Sequence, residues 1–458
     1  MDSADWSLAT LHPKLSPGVL WYQDEDRGLV LVASQCFDPG HLRLAADFDV
    51  QLLASCDGEQ DLAGLASKLS VSTEWAAGAL ERWDRGSDGL IRWLEPREAK
   101  AEAQQEREAR TPEMLHQWRA DEAVPTDNAR YHAEQIRDAL EQFEAVEATV
   151  SHAFSVEHPA LGGRRYGEAF CDAVAGDGQL PVGARILEVG CGTGRLAQGF
   201  LDRLRERHGA IYPTVEYTLL ELSAELQSSQ RQRCAAHAGR TRFVRADIED
   251  HDFRQERFDL VIANEMLGDL SVGRALTENV RCEQAETEAE RLMLAYGLSE
   301  DDAPPDVVVN VGAIRFVERL SALLRDGGVA ALTEHGSEEF WPAAVQLGDH
   351  TEFSIQFGHL AVVARQLGLE AEVRSLGEWL EFDRSFEVLS FDQLWLLGDH
   401  VLPFLGCEPL PTLAYDVSML RRRLGALIDR VGNLDFQPLE RWDALNPFES
   451  FCVLLIRR

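Results

Sequence analysis

The stretch Ile186-Leu187-Glu188-Val189-Gly190-Cys191-Gly192-Thr193-Gly194-Arg195-Leu196-Ala197 constrains the fold more than any other part of the chain. An apolar run ends in an acid, glycines follow at alternate positions, and a helical pattern begins at once. Glycine lets a backbone turn tightly and lets a ligand approach the main chain. A strand that enters a helix through such a turn is the ligand-binding corner of a doubly wound α/β sheet. The spacing is G-x-G-x-G, which differs from the G-x-G-x-x-G of dinucleotide enzymes.

The rest of the chain supports that sheet. Its 458 residues allow two or more domains. Apolar segments at 184–189, 215–221, 241–246, 258–263, 328–333, 371–376 and 451–457 read as strands that alternate with helices. This alternation predicts a mostly parallel sheet covered on both faces. Ile136, Leu140, Phe143, Val146 and Val150 recur at helical spacing and predict one amphipathic helix over 129–150. A long helical segment is expected over 385–430. Residues 97–112 are charged and alanine-rich and read as a helical linker.

Before the linker, strands are expected at 19–23 and 29–34, with a third at 42–44. Helices fit 47–54, 61–69 and 72–83, with Asp61 and Ser72 placed as N-caps. A short extended piece at 90–94 closes this unit.

A net charge of -34 opposes binding to a phosphate backbone and permits a basic or neutral peptide partner. The cysteines are scattered without a C-x-x-C pair, so neither a disulfide framework nor a metal site is expected. The first residues, Met1-Asp2-Ser3-Ala4-Asp5-Trp6, lack a signal-peptide pattern. No apolar run approaches the length of a membrane span. The expected location is cytoplasmic, with no membrane and no nucleic-acid partner.

In a doubly wound sheet the ligand sits at the carboxyl ends of the strands. Four strand ends carry polar chemistry in order. Glu188 and Gly190, Gly192 and Gly194 form the first, Glu221 the second, Asp247-Ile248 the third and Asn264-Glu265 the fourth. The set resembles class I S-adenosylmethionine (SAM) methyltransferases, a Rossmann-like fold. The resemblance implies that SAM is the cofactor. Glu188 then suits the methionine ammonium, Glu221 the ribose hydroxyls and Asp247-Ile248 the adenine.

Ala263-Asn264-Glu265-Met266-Leu267-Gly268-Asp269-Leu270 resembles the Ala-Asn-Glu-Leu-hydrophobic-Asp-Ala-Leu-Pro motif of the MidA-like family, which includes the mitochondrial complex I assembly methyltransferase. Tyr166-Gly167-Glu168-Ala169-Phe170 is similar to that family's aromatic-Gly segment. The run from Glu221 to Gln230 looks like its Glu-hydrophobic-Ser-x-x-Leu-x-x-x-Gln stretch. Thr333-Glu334-His335-Gly336 and His350-Thr351-Glu352-Phe353-Ser354-Ile355 are similar to its fifth strand and the segment after it. The motif's Asp falls on Gly268, with Asp269 one step on, and its Pro is replaced by Ser271. The resemblance implies methyl transfer to a protein side chain, with arginine favoured. A guanidinium acceptor needs carboxylates. Glu265 leads the candidates, followed by Asn264, Asp269, Glu334 and His335; His335 could alternatively serve as a general base.

The N-terminal residues resemble the PqqD-like fold, the recognition element of ribosomally made, modified peptides. The similarity lies in a short sheet, then Val50-Gln51-Leu52-Leu53-Ala54-Ser55-Cys56-Asp57-Gly58, then Asp61-Leu62-Ala63-Gly64-Leu65-Ala66 and a third helix. Such domains are winged-helix-like, but Glu74, Glu81 and Asp84 on the third helix oppose DNA binding. The resemblance implies that a leader peptide adds as a strand and packs on the third helix. The expected contact surface is 29–34, 42–44 and 75–83.

The expectation is thus a PqqD-like domain over 1–96 and a SAM methyltransferase domain over 113–458, with helical insertions at 272–306 and 385–448. The first insertion either covers the acceptor channel or is a solvated surface helix. The substrate is a precursor peptide whose leader docks on the small domain, with other maturation enzymes as possible partners. Rival readings are methylation of another peptide group (a carboxylate, an amine or another modified residue), a non-catalytic SAM-binding scaffold, a SAM-binding regulator of transcription, and a methyltransferase for a small molecule or a carrier-bound residue.

Overall fold

The computed structural model describes residues 8–100, 128–139 and 149–458, apart from 17, 25–28, 37–40, 46, 86, 88, 177–179, 299–302, 348–349, 409 and 443–444. Most of the expected linker, together with Leu140, Phe143 and Val146 of the expected helix, lies outside the described residues. The chain divides into two compact units. One holds Met1–Met114 with Phe386–Ala444, and the other Leu115–Ser385 with Leu445–Arg458.

In the first unit, strands β1 (His12–Leu15), β2 (Leu20–Asp24), β3 (Leu29–Ala33) and β4 (Leu42–Ala45) precede helices Asp47–Ala54, Leu62–Lys68 and Thr73–Asp84. Strand β5 (Ile91–Leu94) returns to pair antiparallel with β1. The capping follows from the side chains. Asp61 accepts from the Gly64 N–H and Ser72 from the Trp75 N–H, each satisfying a donor that the first helical turn leaves open. The core is apolar: Trp21, Val30, Val32, Leu52, Leu53, Leu62, Leu65, Leu80 and Trp83 are buried together.

Residues 385–448 are not a helical insertion of the methyltransferase domain. Phe386–Ala444 belongs to the first unit, and its strand Val431–Gly432 pairs antiparallel with β2. The Gln393 amide donates to the carbonyls of Val19 (3.2 Å) and Asn433 (2.7 Å), which stitches the segment to the sheet. Nor is 385–430 one long helix. It breaks into Phe391–Trp395, a π-helical turn Leu396–Val401, Leu402–Phe404 and Val417–Leu424. Pro403, Pro409 and Pro411 remove backbone donors through this stretch, so a regular helix cannot run through it.

The second unit is built on one sheet. Strands β6 (Arg185–Val189), β7 (Glu216–Glu221), β8 (Thr241–Arg245) and β9 (Phe258–Asn264) match the apolar runs of the sequence. A hairpin of β10 (Gly273–Leu276) and β11 (Asp306–Val309) follows, then β12 (Leu324–Ser337). After β13 (Ala344–Leu347), β14 (His350–Phe353) and β15 (Ile355–Gln356) comes β16 (Glu370–Ser375). The spatial order is β16, the final strand Phe451–Arg457, β12, β9, β6, β7, β8. The final strand runs antiparallel to both its neighbours, and the pairs among β12, β9, β6, β7 and β8 are parallel. Their carboxyl ends therefore lie along one edge.

Two helical expectations are corrected here. Residues 129–150 do not form one helix. Asn128–Arg130 continues as a π-helical turn over Tyr131–Gln135, the backbone becomes extended at Ile136, and a separate helix starts at Val150 with Thr149 as its N-cap. Tyr131, Ile136 and Ala139 are nevertheless buried, against Leu226. The segment 272–306 does not lie free as a solvated helix. Its helix Glu288–Tyr296 sinks Ala289, Leu292 and Met293 into the core beside the sheet, and a Thr287–Glu290 capping box fixes its start.

The aromatic-Gly segment also has a packing reason. A Cβ on Gly167 would lie 2.6 Å from the Leu196 carbonyl and 3.1 Å from the Gly199 Cα. Glycine at both positions lets helix Tyr166–Gly176 approach helix Arg195–Arg207 closely.

Candidate active site

The glycine corner joins β6 to helix Arg195–Arg207. Gly190, Gly192 and Gly194 all have left-handed backbones, with φ of 63°, 50° and 84°. A Cβ on Gly190 would stand 2.7 Å from the Cβ of Met266. Gly194 is the helix N-cap and supplies no side chain, so the first-turn N–H groups lack a side-chain cap.

The Glu221 side chain is 4% exposed at the end of β7. Its Oε1 accepts from the N–H groups of Leu222 (2.8 Å) and Ser223 (3.0 Å). Gln230 donates from Nε2 to Glu221 Oε2 (3.3 Å) and to the Gly192 carbonyl (2.8 Å), tying the acid to the glycine loop. Burial raises the Glu221 carboxyl above its ordinary pKa, against those N–H donors and His132.

Glu188 lies below the loop, where its Oε2 accepts from the Tyr217 hydroxyl at 2.6 Å. Burial pushes its pKa up to about 8, with Tyr217 working against burial and Glu221 adding to it. Asp247 caps its own turn by accepting from the Glu249 N–H at 2.9 Å, and Ile248 is buried.

At the end of β9, Asn264 Oδ1 accepts from the hydroxyls of Tyr166 (2.6 Å) and Thr333 (2.8 Å). Glu265 has φ of 50°, a backbone that costs a non-glycine residue about 1–2 kcal/mol. The carboxylate explains how it is held. Its oxygens accept from the N–H groups of Val150 (2.6 Å) and Ser151 (3.1 Å) and from Asn264 Nδ2 (3.1 Å). Glu265 therefore anchors the start of helix Val150–Ala153 more than it offers an open carboxylate.

Around the next turn the acids accumulate. Asp269 Oδ1 is 3.1 Å from His132 Nε2 and 3.8 Å from His350 Nε2. His350 Nε2 is also 3.2 Å from Glu352 Oε1. Glu334 accepts from the N–H groups of His335 (2.8 Å) and Gly268 (3.2 Å). Burial first, then the mutual repulsion of Glu334, Glu352, Asp269 and Glu265, holds Glu334 and Glu352 well above the usual carboxylate range. Burial lowers His132, but Asp269, Glu221 and Glu352 outweigh it and lift the imidazole to about 9. His335 stands apart: burial lowers it to about 4, and its ring packs on Phe451.

Asn264, Glu265 and Asp269 were legible in the sequence, whereas the roles of His132, Tyr166, Gln230, His350 and Glu352 were not. Tyr166, Gln230, His350 and Glu352 sit in segments that carry the family resemblance. His132 gave no signal. A Cβ on Gly268 would be 3.6 Å from Glu352 Oε2 and 3.0 Å from the Phe353 carbonyl. Glu352 thus occupies the space beside the position where the resembled motif has its Asp.

Residues 167–344 match the profile of a family described as S-adenosyl-L-methionine-dependent methyltransferases. The matched stretch carries the glycine corner and strands β6 to β12, and it supports SAM-dependent methyl transfer. Its cofactor is S-adenosyl-L-methionine. Similarity to solved structures includes a protein from Burkholderia thailandensis bound to S-adenosyl-homocysteine, at 17% identity over 73% of this chain and 95% of that one, with a TM-score of 0.41. A TehB-like SAM-dependent methyltransferase from Corynebacterium glutamicum is 15% identical over 66% of this chain and 91% of that one, with a TM-score of 0.29. The [4+2]-cyclase SpnF is 15% identical over 74% and 97%, with a TM-score of 0.39. No curated protein matches. Among the described residues, no helix is long and apolar enough to cross a membrane.

The donor set fits the cofactor. A left-handed glycine loop leaves main-chain room, and Gln230 ties the buried Glu221 carboxylate to it. Gly190→Ala tests the loop. It adds a side chain where Met266 already stands, on a backbone that disfavours one. Affinity for SAM should fall at least about tenfold and melting by several degrees. Unchanged calorimetry and melting would show that the loop is free to relax.

Proposed function

We propose that this chain transfers the methyl group of SAM to a side chain of a precursor peptide, with an arginine guanidinium favoured. The carrying observation is the buried carboxylate of Glu334 on β12, next to the turn at the end of β9 where Glu265 is held. Buried acids favour a cationic group, and a guanidinium forms charge-assisted bonds to carboxylates. The cofactor supplies an electrophilic methyl on a sulfonium. The chain's own part is positioning: Glu221 holds the ribose, and Asn264 fixes the turn through Tyr166 and Thr333. Well-oriented reactants gain roughly 7–11 kcal/mol.

Peptide recognition is assigned to the first unit. Its sheet runs Val431–Gly432, β2, β3, β4, so one edge is covered by the chain itself and β4 ends the other. Leu44 on β4 is 59% exposed and Trp75 on the third helix 37%. An added peptide strand gains main-chain bonds along such an edge and apolar contacts beside it.

The test is co-expression with the short peptide encoded beside the gene, followed by tandem mass spectrometry. A gain of one or more methyl masses is expected, placed on arginine by fragmentation. It should disappear in Glu221→Gln and fall strongly in Leu44→Glu, an exposed change that leaves the core intact. Methylation on a carboxylate or amine would keep the enzyme and change the acceptor. Retained SAM binding with no mass gain, even with the neighbouring maturation enzymes added, would leave a non-catalytic scaffold.

A further inference from the structure

We infer that His132, Asp269 and His350 form a divalent-metal site of the zinc class, with Glu352 beside His350. The donors come from separate parts of the chain: the π-helical turn before the domain core, the turn after β9, and strand β14. One nitrogen of each histidine and one oxygen of Asp269 lie within 4.8 Å of one another. The adjacent separations are 3.1 Å (His132 to Asp269), 3.8 Å (His350 to Asp269) and 3.2 Å (His350 to Glu352). Zinc bonds of about 2.0–2.2 Å in a tetrahedron put neighbouring ligand atoms roughly 3.3–3.5 Å apart. The His132–Asp269 and His350–Asp269 separations bracket that range.

The surroundings point independently to a cation. The His350 side chain is fully buried, and those of His132, Asp269 and Glu352 are 13%, 19% and 23% exposed. Two carboxylates thus meet two imidazoles out of water, with Glu334 also buried alongside. A divalent ion bound by neutral imidazoles would balance the two carboxylates, where bare burial of like charges is costly. The frame is already set: Asn128 Nδ2 donates to Asp269 Oδ1 (3.1 Å) and to the Thr351 carbonyl (2.9 Å), and Tyr131 stacks on His350 at 4.5 Å.

Three protein ligands leave a fourth position, and Glu352, 3.2 Å from His350 Nε2, stands next to it; its carboxylate would close the site in the structural rather than the catalytic pattern. The metal would clasp Asn128–Gln135 to β14 and to the turn after β9. That segment packs through Tyr131 and Ile136 on Leu226, in the helix that follows Glu221. The clasp therefore borders the ribose acid.

The full chain, stripped with chelator, is titrated with zinc against a chromophoric competitor and melted with and without the metal. We expect one tight zinc per chain, a tetrahedral cobalt(II) spectrum on substitution, and a metal-dependent rise in melting temperature. His132→Ala should weaken zinc by about a hundredfold and abolish the rise. Its partly exposed side chain makes it the variant to rely on if His350→Gln fails to fold. No tight zinc, or zinc bound equally by wild type and His132→Ala, overturns the site. Zinc removal should also weaken S-adenosyl-homocysteine binding. Only this readout rests on the methyltransferase reading, so its failure with the titration intact would sink the coupling and leave the metal site standing.

Discussion

Glu221→Gln should leave the ligand-free protein at least as stable as wild type and weaken SAM binding by about a hundredfold. The two effects diverge for a physical reason. Without cofactor, Glu221 is a buried acid whose pKa is raised by desolvation, so its charge at neutral pH opposes folding. Glutamine removes that charge. Its carbonyl can still accept from the Leu222 and Ser223 N–H groups that Glu221 now satisfies. The ribose diol, in contrast, loses a charged acceptor. Hydrogen bonds to charged groups contribute about 1.5–3 kcal/mol each, and two weakened bonds reach the expected factor. Calorimetry with S-adenosyl-homocysteine and a melt of the free protein measure both sides. A destabilised variant with normal affinity would mean that Glu221 holds the loop and never meets the ribose.

The sequence is most informative where period and punctuation agree. Apolar runs bounded by acids and glycines placed β6, β7, β8, β9 and the final strand to within a residue or so. A buried parallel strand is a local pattern, and so is an N-cap such as Ser72. The failures are non-local. Phe386–Ala444 looked like an insertion because chain order puts it inside the second domain, yet its strand Val431–Gly432 pairs with β2, more than four hundred residues earlier. No periodicity reports a partner that distant. The helix over 129–150 was read from Ile136, Leu140, Phe143, Val146 and Val150, and the chain leaves the helical region at the first of them. Tertiary burial on Leu226 satisfies Ile136 without a regular helix there.

The site divides along the same line. Glu188, Glu221 and Asn264-Glu265 were legible as polar residues because each lies at or next to a strand's carboxyl end. The apparent lack of any metal signal reflects spacing: His132, Asp269 and His350 lie far apart in sequence and meet only through the sheet. Glu265 shows a subtler limit. It directly follows β9, as read from the sequence, but its carboxylate is engaged by Val150 and Ser151, donors that a helix N-terminus brings there.

The buried acids set a second large expectation, a stability that declines with rising pH. Glu188 moves from an ordinary value of 4.5 to about 8 on folding, first through burial. The folded protein thus binds its proton more tightly than the unfolded chain does. The stabilisation is complete below about pH 4.5 and is lost progressively as pH climbs towards 8, at about 1.4 kcal/mol per pH unit while the group titrates differently in the two states. Glu334 is raised in the same direction and steepens the decline. Chelator-treated, cofactor-free protein should therefore melt several degrees lower at pH 8.5 than at pH 5.5. Glu188→Gln should flatten part of that slope, because its carbonyl still accepts from Tyr217 but carries no charge. An equal slope in the variant would place Glu188 in contact with water or a cation in the free protein. The direction also bears on the cofactor. If the methionine ammonium pairs with Glu188, ligand-induced stabilisation should grow across the same interval in wild type and stay level in Glu188→Gln, since the cation offsets the charge that the empty fold resists.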